Sequence, residues 1–340
     1  MATDAATAPG STLDAWARVL KTCGHPAPET LDPVGRWLLI SRACVQPMTL
    51  TAAAIAGLLA ANSPSFHLGY YALASIGIVL AHAANNMIND YFDVSEGQDT
   101  EAYPRGLYAP HPVGSGLISH RGLGRAILVT NVLDAAIMIV LFLARGWPVI
   151  AFALAGLFIS VFYVAPPLRF KANGLGEPSV FVIWGPLMVG GTYFSTTAHL
   201  PPEVIWASVP YALLVVTVLF GKHIDKAPWD APEGVRTLPV ILGAARARRV
   251  AGALMVTFYV TTVGLVLAGI YPIWAIVAVG AIPTLRRVLR TYAHERPDAP
   301  PERYPLWPLW FGPWAFVHAR RAGALLVIGL AAGAAFPGFI

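Results

Sequence analysis

Nine stretches of the chain are almost wholly apolar, and they leave it few ways to fold. They run over residues 36–61, 68–90, 123–144, 147–164, 178–198, 203–221, 248–269, 271–290 and 322–337. A helix needs about 20 apolar residues to cross the hydrocarbon core of a bilayer. Most of the stretches have that length; the last is short for a span, and the eighth ends in the basic run LRRVLR. Only 12% of the residues are charged and 56% are hydrophobic, whereas a soluble domain is about 25% charged. So few charges cannot clothe a surface in water. The expectation is an all-α, polytopic membrane domain of nine transmembrane helices over 35–340, preceded by a cytoplasmic segment, 1–34.

The connections sort by charge. Of the 23 Lys and Arg residues, only Arg145 falls in a short connection. Cytoplasmic loops carry the Lys/Arg excess, which places the N-terminus and the long connections 91–122, 165–177, 222–247 and 291–321 in the cytoplasm of a multi-pass cell-membrane protein. The net charge of +5 does not indicate nucleic acid, because the basic residues flank apolar runs and form no patch interleaved with aromatics. Residues 1–34 contain Asp4 and Asp14 and lack the basic start and apolar core of a signal peptide. Within them, LDAWARVL suits a short amphipathic turn at the membrane surface. Cys23 and Cys44 give neither a disulfide framework nor metal-ligand spacing, and Cys44 is read as packing.

Two of the long connections are acidic as well as basic. NNMINDYFDVSEGQD closes the second apolar stretch with Asn89, Asp90, Asp93, Glu96 and Asp99. Asn89 and Asp93, four apart, share a helix face. GKHIDKAPWDAPEGVRTLPVILG places Asp225 and Asp230 at the end of the sixth stretch, with Pro228 between them expected to force a turn. Carboxylates and an amide oxygen are hard ligands suited to Mg²⁺, which takes one or two carboxylates plus phosphate oxygens of a substrate. Arg42, Arg105, Arg169, Lys171, Lys222, Lys226 and Arg236 stand near the two clusters, and such cations are what diphosphate oxygens need. A single acidic cluster at a helix end is equally well a solvated boundary. Two on one membrane face, each with basic neighbours, favour a Mg²⁺–diphosphate site.

These residues carry a resemblance. NDYFDVSEGQD resembles the first aspartate-rich motif of the UbiA-type intramembrane prenyltransferases, in the spacing N-x3-D-x5-D; DKAPWDAPEGVRTLPVILG is similar to their second motif. YVAPPLRFKANGLGE resembles their helix 4–5 loop and VGSGLIS the segment after the first motif, so the likeness covers about 35–290. The resemblance implies nine helices around a central cavity capped by the motif loops. By position it implies one Mg²⁺ on Asn89, Asp93 and Asp99 and another on Asp225 and Asp230. It assigns the diphosphate to Arg42, Arg105, Lys171 and Arg236, and leads catalysis through Asp93 and Asp225. The sequence departs from the pattern in several places. Its second pair is D-x4-D rather than D-x3-D, Gly221 and Lys222 stand where many members have Asn-Asn, His111 replaces an Arg, and Val235 replaces a Lys.

The activity this implies is Mg²⁺-dependent transfer of a prenyl group from an allylic diphosphate to a lipophilic or aromatic acceptor, with membrane lipid around it. A UbiA-type terpene cyclase, needing the same metal site but no acceptor, stays open. A transporter would place its binding groups near the bilayer midplane, whereas most acids here lie at one surface. Asp134, inside the third stretch, is an intramembrane acid and by default a functional candidate. Tyr163, Lys222 and His223 are candidates to stand behind the metal site or meet the acceptor, and His82 and His223 are read as lying near helix ends. The Pro- and Trp-rich connection 296–323 reads as an interfacial belt, with a lid as the functional alternative.

Overall fold

The computed structural model describes residues 11–25, 28–95, 111–302, 304 and 306–337, and all regular structure among them is helical. A short surface helix, α1 (Thr12–Thr22), opens on a capping box between Ser11 and Asp14. α2 (Pro33–Ile40) is capped by Asp32, whose carboxylate also accepts the indole N–H of Trp16 at 2.8 Å. That bond, with the backbone N–H of Gly35 and others, holds the Asp32 carboxyl below the usual carboxylate range. The two cysteines depart from expectation: α1 folds back on the turn at Ala43–Val45, and Cys23 is joined to Cys44 in a disulfide with Cα atoms 5.3 Å apart. Pairing of two cysteines 21 residues apart depends on that chain reversal, which spacing alone does not show.

Among the described residues six helices are long and apolar enough to cross a membrane. They are α3 (Gln46–Ala60, entered through Ala43–Val45), α4 (Leu68–Ser95), α5 (His120–Arg145), α8 (Pro202–Asp230), α10 (Ala244–Leu267) and α12 (Phe311–Ala335), with α6, α7, α9 and α11 named below in their turn. The remaining three apolar stretches are helical too, but shorter or irregular. α6 (Pro148–Phe162) has 15 residues. α7 (Gly176–Thr197) widens to a π-turn over Ile183–Gly190, where Pro186 removes a donor. α11 (Ile273–Ala293) begins as a 3-10 helix over Ile273–Ala281. A five-residue helix, α9 (Leu238–Leu242), precedes α10.

Three helices extend beyond the apolar pattern. α4 continues to Ser95, so Asn89, Asp90 and Asp93 are helical residues. α8 continues through Pro228 to Asp230 without the expected turn. Pro228 sits in the last turn and removes the N–H that would meet the Ile224 carbonyl, and the helix closes beyond it with Ala231 N–H on the Ala227 carbonyl at 3.1 Å. α12 begins at Phe311, so the second half of the expected belt is the start of the last helix. Polarity marked the edge of lipid, and the helices run on past it.

α8 is the central rod: 72% of its most apolar window is buried, against 11% for α5 at the periphery. α3, α7, α10 and α12 pack around it. A close approach is at Gly221, where an added Cβ would lie 2.5 Å from the Tyr292 hydroxyl and 2.9 Å from Gly312. At the far end of α5, Arg145 donates at 2.9 Å to the carbonyls of Ser195 and Thr196, the C-terminus of α7. A cation there answers the partial negative charge of a helix end.

Candidate active site

Helices α3, α4, α7 and α8 enclose a cavity of about 210 Å³. α4 contributes His82, Asn85, Asn86, Asn89 and Asp93, spaced three or four apart along one face. α8 contributes Val215, Val218, Leu219, Lys222, His223 and Lys226, again one face. Arg42, Tyr163 and Lys171 complete the polar wall. A second, mostly apolar cavity of about 170 Å³ lies deeper, between α4, α5, α6 and α7. His82, Asn85, Ile183 and Trp184 line both. The wide turn of α7 thus supplies the partition between them.

The first motif is built as a polar cluster. Arg42 has left-handed backbone (φ 53°) at the break between α2 and α3. It ion-pairs with Asp90, which is fully buried. The neutral ring of His111 donates from Nε2 to the Asp90 carbonyl at 3.0 Å while its Nδ1 accepts from Val113 N–H at 3.2 Å. Lys171 reaches Asp93 at 3.4 Å. Asn89 Oδ1 is buried without a hydrogen-bond partner, an oxygen available to a ligand from the cavity. Asp99, Glu96 and Arg105 lie outside the described residues.

The second motif divides. Lys222, His223 and Lys226 face the cavity. Asp225, about 100° around the helix from Lys226, faces α12: its Oδ1 and Oδ2 accept the N–H groups of Phe311 and Gly312 at 2.9 and 2.8 Å. Asp230 is buried, and neither it nor Asp225 lines the cavity. Arg236 is exposed; its backbone N–H bonds the Ala172 carbonyl at 3.0 Å, tying the second motif to the loop before α7. Among the described residues no three Asp, Glu, His or Cys side chains gather as a metal site.

Sequence reasoning missed Glu177, which is 2% exposed and accepts from His223 Nδ1 at 2.7 Å. Its signal was an acid inside the motif-like run NGLGE, where a buried role is legible only with a partner in view. His82 is also not at a helix end: it lies in mid-α4, bonded to Thr49 at 2.6 Å and edge-on to Trp184. Asp134 lines the deeper cavity, against Gly77 of α4. The Pro- and Trp-rich connection is anchored over the second motif by Arg296, which donates to the carbonyls of Asp225 and Pro308 and lies over the rings of Trp229 and Trp307.

Comparison with known proteins agrees with this architecture. The family model described as "UbiA prenyltransferase family" matches residues 50–312. The chain is 25% identical over 246 residues to the 1,4-dihydroxy-2-naphthoate octaprenyltransferase of Bacillus subtilis, covering 70% of this chain and 77% of that protein. It is 31% identical over 188 residues to the digeranylgeranylglyceryl phosphate synthase of Natronomonas pharaonis, covering 54% and 61%. The structure of a UbiA homologue from Archaeoglobus fulgidus bound to GPP and Mg²⁺ superposes with a TM-score of 0.52 at 19% identity, covering 86% of this chain and 99% of that one.

Proposed function

The chain belongs to the UbiA prenyltransferase family, and from that premise we propose that it transfers a prenyl group from an allylic diphosphate to a lipophilic acceptor, releasing diphosphate. The observation that carries the reading is the paired cavities: a chamber lined by basic side chains beside an apolar one, with His82, Asn85, Ile183 and Trp184 lining both. The diphosphate sits against Arg42, Lys171, Lys222 and Lys226, and the prenyl chain extends past Trp184 toward Asp134. The nine apolar helical stretches are read as nine crossings with the motif ends in the cytoplasm.

Mg²⁺ fits the first motif, where Asn89 offers an unpartnered carbonyl oxygen and Asp93 a carboxylate one turn on. When bound there it would neutralise charge on the diphosphate. Asp225 of the second motif does not fit in the same way, since both its oxygens are committed to α12.

The chain's own residues account for the rest. As the C1–O bond breaks, its electron pair leaves with the diphosphate, and the four basic side chains stabilise that growing charge. The allylic carbon becomes cationic and must meet the acceptor before water. The apolar walls exclude water, and the faces of Tyr163 and Trp184 attract positive charge. A new bond forms from a nucleophilic acceptor atom to C1, and the acceptor loses a proton; His223, held by Glu177, lines the cavity in reach of that role. The named relatives are transferases, which supports a separate acceptor over cyclisation of the prenyl chain.

Membranes containing the protein, given Mg²⁺ and allylic diphosphates from dimethylallyl to geranylgeranyl, test this. Paired with phenolic, naphthoic, indolic and glyceryl phosphate acceptors, they are expected to yield a prenylated product by mass spectrometry. Diphosphate release with a cyclic hydrocarbon or alcohol, and no acceptor adduct, would refute the transferase reading.

A further inference from the structure

One side of the molecule carries guanidinium groups that the reaction does not use. α11 ends through the run LRRVLR, and Arg286, Arg287 and Arg290 are all exposed. The opposite face of the same turns is the one that packs, with Leu285, Val288 and Tyr292 buried. α10 lies alongside, Gly252 against Leu289. In the two turns of α10 before that contact, Arg246 and Arg249 are exposed as well. Among the described residues none of the five is ion-paired. Arg249 spends one N–H on the Ala245 carbonyl of its own helix, and Glu295, just beyond α11, faces Arg248 at 3.8 Å. None of the five lines the cavity assigned to the diphosphate.

Their level is the edge of lipid, since the apolar run of each helix ends among these arginines. Val256 and Val260, 7 and 11 residues after Arg249 and therefore on its face of α10, are exposed, and so are Ile276 and Val277 on α11. A positive-inside bias needs only a count of Lys and Arg in a connection. It does not need them on adjacent turns of two packed helices, above an aliphatic strip. Guanidinium groups pair bidentately with phosphate oxygens, and basic clusters at headgroup level attract anionic lipid. We propose that the outer face of α10 and α11 is a binding site for an anionic phospholipid, its phosphate among the five arginines and its acyl chains along Val256 and Val260.

The test is native mass spectrometry of the purified full-length protein in detergent, titrated with phosphatidylglycerol or phosphatidylcholine. The first phosphatidylglycerol should bind about tenfold more tightly than the first phosphatidylcholine, and Arg286→Gln and Arg290→Gln should each weaken it roughly fivefold. The paired Lys variants, which keep the charge, should retain most of the affinity. Arg121→Gln with Arg125→Gln, on exposed positions at the start of α5 on the same side of the bundle, should leave it unchanged. An equal loss in that control would show that only total charge counts and would overturn the site. Equal affinity for the two lipids, or undiminished binding in the Arg286/Arg290 pair, would also overturn it. Competition by free glycerol phosphate as strong as by the lipid would make the face a soluble-phosphate site and refute the membrane assignment.

Discussion

Replacing Asp225 with Ala removes the acceptor for two amides that have no substitute nearby. Phe311 is 3% exposed and Gly312 is buried, so both N–H groups stay out of water. A buried donor left unsatisfied costs about 1–3 kcal/mol. Against that, the variant is relieved of keeping a carboxylate in a dry site, a cost of several kcal/mol offset in the parent by the two bonds and the start of α12. The net is a destabilisation on the order of 2–4 kcal/mol. With an unfolding entropy of about 2 cal/mol/K per residue, this lowers the midpoint of thermal unfolding in detergent by about 4 °C. Asp225→Asn keeps one accepting oxygen and should lose about half as much. Both should leave the number of bound Mn²⁺ ions unchanged. An unaltered unfolding midpoint together with a large loss of divalent-ion affinity would refute the cap and make Asp225 a metal ligand.

Four other outcomes follow from the geometry. Asp93→Ala should reduce turnover about 10²–10³-fold and abolish Mn²⁺ binding while the protein still elutes as the folded species; retained metal binding would exclude it as a ligand. Glu177→Ala strands His223 in a dry site and should cost about 3 kcal/mol of stability, read by thermal unfolding, with Glu177→Gln milder. Gly221→Ala drives a methyl into Tyr292 and Gly312 and should destabilise by about 1–3 kcal/mol, again by unfolding midpoint. Gly77→Val, whose Cβ would lie 3.2 Å from Asp134 Oδ1, narrows the deeper cavity and should shift product profiles toward shorter prenyl donors; an unchanged profile would place the chain elsewhere.

The helices were readable because lipid imposes a composition on them, and each apolar stretch is helical. Their ends were not. Helix geometry in α4 and α8 continues through Asp93 and Asp230, past the point where hydropathy falls, since the polar face there is turned to a cavity rather than to water. That Asn89 and Asp93 share one face was legible because they repeat at one helical turn. Which way the second motif turns was not, because that depends on rotation about α8. Asp225 and Lys226 are neighbours in sequence, yet one faces α12 and the other the cavity. Glu177 and Asp90 gain meaning only from His223 and Arg42, 46 and 48 residues away.

The bond from Asp225 to Phe311 and Gly312 spans 86 and 87 residues, which sets an order of assembly. While the chain is being made, α8 is complete long before α12 exists, and its buried carboxylate has no amide to hold. The packing of α8 against α12 is therefore finished only when the last helix arrives, and a chain cut short before Phe311 carries Asp225 without its two amide partners near the end of its central rod. Such truncated chains should be marked for removal by their own electrostatics.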